Sequence, residues 1–209
     1  MISLGKANVR RILFVAVLLS CGMLVGWAES WEQIRQASSG ISTVQAGFVQ
    51  RKHLKILSRP LISEGRFYFR SPDALRWEYL SPVRSVLLLS QGNVKRYIQQ
   101  NNQLVEDRHG SAQVMKFILP EIAAWSRGRF DSSPTFAAVL KPGSKTRILM
   151  TPKDKSLSAM IQAVEITLSE KPGRIELVRI IESDEAYTEI EFKNIRTNSR
   201  IDDVLFRAG

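Results

Sequence analysis

The stretch Gly65-Arg66-Phe67-Tyr68-Phe69-Arg70-Ser71-Pro72-Asp73-Ala74-Leu75-Arg76-Trp77-Glu78-Tyr79 decides the fold. Phe67 and Phe69 alternate with Arg66, Tyr68 and Arg70, and Leu75, Trp77 and Tyr79 alternate with Arg76 and Glu78. Successive side chains on a strand point to opposite faces, so each segment has one apolar wall and one polar wall. Pro72 and Pro82 punctuate the segments. Outward from here the same rhythm predicts strands at 44–53, 62–70, 74–80, 85–89, 94–99 and 103–108, with tight turns at Gln91-Gly92-Asn93 and Gln100-Asn101-Asn102. Large aromatic residues on one face of a meandering antiparallel sheet suit either a sheet packed on a partner layer or a wall around an apolar ligand.

Before this run, Ser30 to Ala37 reads as a short helix, with Ser30 as N-cap, Glu32 in the first turn and Trp31, Ile34 and Ala37 on one face. After it the period changes. Val114, Met115, Phe117, Ile118, Ile122 and Trp125 recur at helical intervals over 112–126, and Pro120 is expected to split this insert into two short helices. Residues 134–140 read as one more helical turn. Strands are expected again at 146–151, 163–169, 174–182 and 187–195, with Leu205-Phe206 closing the last edge. The plan is a mainly β protein with helices (α+β): helix, six strands, a helical insert, then four or five strands. It forms a single domain over 29–209.

The N-terminus bears on location. Lys6, Arg10 and Arg11 precede an apolar run from Ile12 to Val25, followed by Gly26-Trp27-Ala28-Glu29. A basic segment, an apolar core and a small-x-small site read as a secretory signal peptide over 1–28, which places the mature chain in the periplasm. The run of 14 residues is shorter than the roughly 20 a spanning helix needs. Cys21 is the only cysteine, and cleavage after Ala28 removes it, leaving the fold to its core and hydrogen bonds. An alternative stays open: Leu18-Leu19-Ser20-Cys21 resembles a lipobox, in which the cysteine is acylated and anchors the protein. The chain carries 30 basic against 20 acidic residues, a formal charge of +10. That balance allows a nucleic acid, an anionic membrane or an acidic partner.

No catalytic constellation is present. His53 and His109 stand without cysteine or carboxylate at ligand spacing. There is no G-x-S-x-G, and Gly143-Ser144-Lys145-Thr146 lacks the first glycine of a phosphate loop, since Ala138 occupies its place. Neither an enzymatic activity nor a cofactor is expected. Glu182, Asp184 and Glu185 read as a solvated hairpin turn. Arg66, Arg70, Arg76 and Arg84 could form a nucleic-acid face with Tyr68. Export argues against nucleic acid, and the outer face of a half-buried sheet is polar in any case.

One ordered pattern is more specific. Phe48-Val49-Gln50 is followed by Gly65-Arg66-Phe67-Tyr68-Phe69, then Pro72-Asp73-Ala74-Leu75-Arg76-Trp77-Glu78-Tyr79, Pro82 and Gln91-Gly92. The string F-x-Q, G-x-Φ-x-Φ, P-x-x-x-R-W-x-Y, P, Q-G resembles the periplasmic lipoprotein carrier family LolA, most closely over 44–97. The resemblance implies an unclosed antiparallel β-barrel with a helical lid or plug over an apolar cavity, as in LolA and the outer-membrane receptor LolB. It implies an acylated lipoprotein or related lipid as ligand, an inner-membrane lipoprotein-releasing transporter as donor, an outer-membrane acceptor, and a monomeric carrier. An anchored lipid-binding lipoprotein or receptor with acylated Cys21, or a module that senses mislocalised lipoprotein, are alternatives within the same fold. Well-studied family members have an arginine immediately before the proline matching Pro72, which latches the lid. Here that position is Ser71, and Arg70 lies on the opposite strand face.

A carrier must bury acyl chains and release them, which calls for large apolar side chains with little hydrogen-bonding commitment. Phe48, Phe67, Phe69, Leu75, Trp77, Tyr79 and Leu87 are the expected wall, and Met115, Phe117, Ile118 and Trp125 the expected lid. Met115 and Phe117 precede Pro120 and are expected to exchange partners between wall and ligand. For each residue the plain alternative is ordinary core packing.

Overall fold

The computed structural model describes residues 30–107, 113–141, 143–170 and 173–207. The segment on which the export and acylation readings rest lies outside these residues, as do His109 and Ala112.

Helix α1 (Trp31–Ser39) starts at a capping box: the Gln33 amide donates to Ser30 Oγ at 3.2 Å, and the Ser30 amide donates to Gln33 Oε1 at 2.8 Å. Six strands follow: β1 (Thr43–Leu54), β2 (Leu61–Arg70), β3 (Ala74–Ser81), β4 (Ser85–Ser90), β5 (Asn93–Gln100) and β6 (Gln103–Glu106). Then come helix α2 (Gln113–Trp125), β7 (Phe136–Lys141), β8 (Arg147–Pro152), the short helix α3 (Lys155–Ser158), β9 (Ala163–Leu168), β10 (Ile175–Ser183), β11 (Ala186–Thr197) and a 3₁₀ turn at Asp203–Phe206. The turns at Gln91-Gly92 and Asn101-Asn102 have positive φ at both central residues, the primed geometry that matches hairpin twist.

All eleven strands form one antiparallel sheet in the order β6-β5-β4-β3-β2-β1-β11-β10-β9-β8-β7. The sheet is unclosed, with β6 and β7 as its two edges. The chain starts in the middle, meanders to one edge, crosses by α2 to the other edge, and meanders back until β11 pairs with β1. Helix α2 therefore links the two free edges. The larger of two clusters of buried residues joins α1, α2 and one face of the sheet.

Three local expectations are corrected. Pro120 lies inside α2 without splitting it. A mid-helix proline costs about 3 kcal/mol. Burial of Ile118, Leu119, Ile122 and Trp125 on either side of it, at about 1.5–3 kcal/mol for each large side chain, outweighs that cost. Residues 136–141 form strand β7, not a helical turn. Phe136 is buried and the following residues alternate, so the run takes the open hydrogen bonds of β8. Leu205 and Phe206 belong to a 3₁₀ turn against β3 and β4 instead of an edge strand. Helix α3 has no counterpart among the elements expected from the sequence; its N-cap Asp154 accepts from the Ser156 amide at 2.8 Å, and hydrogen bonds led by the Ser156 side chain hold its carboxyl below the ordinary range.

The polar strand faces are occupied in specific ways. Glu78 lies between Arg76 Nε and Arg84 Nη2, both at 3.1 Å, and Arg76 also donates to the Leu205 carbonyl at 3.2 Å. Arg70 pairs with Asp203. Of the arginines considered as a nucleic-acid face, Arg70 and Arg76 thus seat the C-terminal turn, Arg84 pairs with Glu78, and Arg66 stays exposed. Lys145 of the basic turn pairs with Glu176 at 2.8 Å, and Glu182 and Glu185 pair with Lys52 and Lys55.

Candidate functional site

The inner wall is built by cross-strand register. Phe67 lies opposite Trp77, Trp77 opposite Leu87, Phe69 opposite Leu75, and Phe48 opposite both Gly65 and Phe192. The rings interlock: Phe48–Trp77 centroids are 4.8 Å apart, Phe48–Tyr79 5.3 Å, Phe67–Phe192 5.4 Å and Phe67–Trp77 5.6 Å. Gly65 permits this. A Cβ there would lie 2.0 Å from the Glu78 carbonyl oxygen and 2.5 Å from the Phe48 ring. Phe48, Phe67, Phe69, Leu75, Trp77 and Leu87 are all buried, and Tyr79 is half-buried. Phe192 belongs with them and was not singled out from the sequence; the alternation Ile190, Phe192 is its signal.

Helix α2 covers this wall. Ile118, Leu119, Ile122, Ala123 and Trp125 are buried, and Met115 packs partly against the core. Trp125 continues the aromatic layer, stacked on Phe130 at a centroid distance of 6.4 Å with Phe136 edge-on at 6.1 Å. Phe117 does not face the wall. It is 41% exposed on the outer side of the helix, so the exchange of partners expected for it does not describe this arrangement. The wall and lid residues thus meet as a packed layer, and the part-open pocket left between them is only about 30 Å³, lined by Val44, Ala46, Phe67, Ile122, Phe192 and Ile195 among others. That is small against the cavity for a large ligand that the resemblance implies.

A second space is a groove of about 310 Å³, lined by Ser63, Tyr79, Val83, Leu87, Arg96 and Met115. It lies where β3 ends, β4 begins and α2 starts. Tyr79 marks its inner end by donating to Gln50 Oε1 at 2.9 Å. Burial pushes the Tyr79 hydroxyl up to about 12, so it stays a neutral donor.

Few polar commitments cross the interface. The Trp125 indole nitrogen has no acceptor among the described residues, and Glu121 of α2 is 4% exposed with Oε2 unpartnered among them as well. An unpaired buried polar group weakens the packing that contains it, by about 1–3 kcal/mol. At the far end of α2, Arg127 donates to the Pro72 carbonyl at 3.4 Å, and Gly128, at φ +72°, fits against Ser38 of α1. Arg70 is on the other face of the sheet, its guanidinium 4.5 Å over the Phe206 ring. Among the described residues no group of three histidine, cysteine or acidic residues could hold a metal ion.

Residues 39–208 match the family described as outer membrane lipoprotein carrier protein LolA. The chain belongs to the LolA family. The fold agrees with two solved structures at low identity. A conserved protein from Thermus thermophilus aligns with a TM-score of 0.53 at 14% identity, covering 86% of this chain and 94% of that one. A DUF1329 family protein from Desulfovibrio piger gives 0.51 at 9%, covering 85% and 95%. A LolA superfamily protein from Nitrosomonas europaea gives 0.44 at 8%, covering 86% and 98%. Among curated proteins, none matches this sequence.

Proposed function

We propose that this protein binds the acyl chains of a lipoprotein, or a lipid of similar tail, between α2 and the aromatic face of the sheet, and carries them through the periplasm. The observation that carries this is the single apolar layer shared by the Phe48–Phe67–Trp77 wall and the Ile118–Ile122 face of α2, with few hydrogen bonds across it among the described residues. A helix held mainly by apolar contact can exchange them for acyl chains, which offer equivalent contacts. A large ligand needs about 300–1,000 Å³; the pocket between α2 and the wall offers about 30 Å³, and the groove past Tyr79 and Leu87 about 310 Å³. Loading between α2 and the wall therefore requires α2 to move, and the ligand shifts that balance only by its differential affinity for the open form.

Membership in a lipoprotein carrier family supports this reading. Residues 1–28 serve in it as the export signal, the donor is an inner-membrane transporter, and the acceptor lies in the outer membrane. Delipidated protein should bind an environment-sensitive acyl fluorophore saturably, and diacylated lipopeptide should displace it. Mass spectrometry of the mature N-terminus should find Glu29. A triacylated Cys21 would instead mark an anchored lipid-binding protein of the same fold.

A further inference from the structure

The two edges of the unclosed sheet are built differently. Strand β6 is four residues long and polar at both ends, Gln103 and Glu106, with Glu106 3.9 Å from Lys95. Strand β7, Phe136-Ala137-Ala138-Val139-Leu140-Lys141, runs through five apolar residues before its first charge. Its register with β8 is unbroken from Phe136 to Lys141, and Pro134 and Pro142 flank the strand with none inside it. Edge strands of natural proteins are guarded by charge, bulges, proline or brevity, because their open backbone pairs with other chains. Strand β6 has two of these guards, and β7 lacks all four over 136–140.

The open side of β7 has a definite hydrogen-bonding frame. The Lys153 amide donates to the Thr135 carbonyl at 3.0 Å, and the Phe136 amide turns away from β8 to Ser133 Oγ at 2.9 Å. Antiparallel strands alternate residues that bond the partner with residues that face away from it. Ala138 and Leu140 therefore aim their N–H and C=O groups at the open side, where no bond to them occurs among the described residues. Their side chains pack on the rim of the core, while Ala137 and Val139, the latter 53% exposed, lie on the outer face. A strand added here would meet apolar surface on both faces.

The charges select the occupant. Lys141 stands directly opposite Arg147, both exposed on the outer face and neither in an ion pair among the described residues. Like charges in that relation destabilise a sheet. The acids at this end, Glu170 and Glu176, act on Lys145, and Glu165 of β9 lies opposite Leu149 and Arg179. A carboxylate beside Lys141 would relieve the pair. Neither β7 of a second copy nor residues 1–28 of this chain contain an acidic residue. The matching occupant is another protein's extended segment, apolar at alternate positions and acidic at the end that meets Lys141.

We propose that β7 takes up such an acidic-apolar strand of a partner protein in antiparallel pairing, bonded to the backbone of Ala138 and Leu140 and anchored at Lys141 and Arg147. This goes beyond acyl-chain binding between α2 and the sheet and does not rest on it. The test uses protein purified after expression of the full chain and a fluorescent peptide, Thr-Glu-Val-Thr-Val-Thr-Val-Thr, blocked at both ends. Its glutamate falls opposite Lys141 and its middle valine opposite Ala138.

Anisotropy should show saturable binding, and amide exchange should slow within 136–141 and not at 103–106. Lysine in place of the glutamate should weaken binding by about fivefold or more, and proline in place of the middle valine should abolish it. Ala138→Pro removes an N–H that lies outside the β7–β8 ladder, so it should lose peptide binding while keeping the thermal midpoint and acyl-probe affinity. K141E/R147E should reverse the preference between the glutamate and lysine peptides, which decides the matter if Ala138→Pro fails to fold. Absent protection in 136–141, equal binding of the two peptides, or an unreversed preference in K141E/R147E would overturn the proposal. A dimer that forms without peptide and is broken by Ala138→Pro would overturn it too, in favour of pairing between two copies.

Discussion

The Arg70 guanidinium lies over the Phe206 ring, 4.5 Å from its centroid, and pairs with Asp203. It holds the C-terminal turn on the outer face of the sheet, opposite the face that α2 covers. An arginine one residue from the family's latch position thus works on the wrong side for a lid. Replacing it should loosen the C-terminus and leave ligand handling alone. We expect Arg70→Ala to cost about 1–2 kcal/mol from the lost cation–π and ion-pair contacts. Exchange should quicken around 202–207, with acyl-probe affinity unchanged. A changed probe off-rate would connect Arg70 to the lid after all.

Glu78 gives the fold an acid-sensitive point. Burial alone would raise its carboxyl pKa, but hydrogen bonds and charge from Arg76 and Arg84 outweigh burial and hold it below 4.5. A carboxyl depressed in the folded state stabilises the protein above its unfolded pKa, and that stability is lost as pH falls through the folded value. Unfolding midpoints should therefore drop below about pH 4.5. The drop should be shallower in Glu78→Gln, which is less stable at neutral pH because Arg76 is left buried without its partner. Parallel pH profiles for the two proteins would remove Glu78 from the account.

Gly65 carries the wall through the close approach of Phe48. Gly65→Ala places a Cβ against backbone as well as the Phe48 ring, so relaxation of the ring alone cannot relieve it. A loss of about 3 kcal/mol is expected, the upper end for overpacking, with a weakened near-ultraviolet signal from Trp77. Chemical denaturation measures the first and circular dichroism the second.

Glu121 sets the balance of the helix on the sheet. Its carboxylate is buried with Oε2 lacking a hydrogen bond among the described residues, which favours any arrangement that returns it to water. Glu121→Leu should stabilise the protein by about 1–3 kcal/mol and slow acyl-probe uptake several-fold. Faster uptake with raised stability would mean that α2 does not move during loading.

Much of the architecture was legible because period-two alternation survives in strands with one buried face. The alternation of Phe67/Phe69 and Leu75/Trp77/Tyr79 marked the apolar side of each strand, and Gln91-Gly92 and Asn101-Asn102 marked the hairpin turns. The failures have physical causes. Pro120 signals a break, but its lost hydrogen bond is smaller than the burial of the helix around it. Phe136 to Leu140 is too short for periodicity to separate strand from helix, and the unpaired edge of β8 decided it. Phe117 was assigned to the lid because it recurs at helical spacing and precedes Pro120, whereas the helical phase of the buried Ile118 and Ile122 leaves it exposed. The contacts that seat the C-terminal turn, Arg76 to the Leu205 carbonyl and Arg70 to Asp203, join residues more than a hundred apart, which no local pattern carries.

The most direct test of the central claim is hydrogen exchange over α2 with and without a saturating diacylated lipopeptide, read beside acyl-probe binding by the native protein, Ile122→Ala and Phe117→Glu. Lipopeptide should displace the probe at one site per chain and change exchange in 115–125 while β1, β2 and β3 stay protected. Ile122→Ala should lose stability by about 2–5 kcal/mol and alter probe affinity, whereas Phe117→Glu should change neither by much. An α2 as protected as the central strands in both conditions, with no saturable probe binding, would show that the Ile118–Ile122 face is static core and contradict the carrier site.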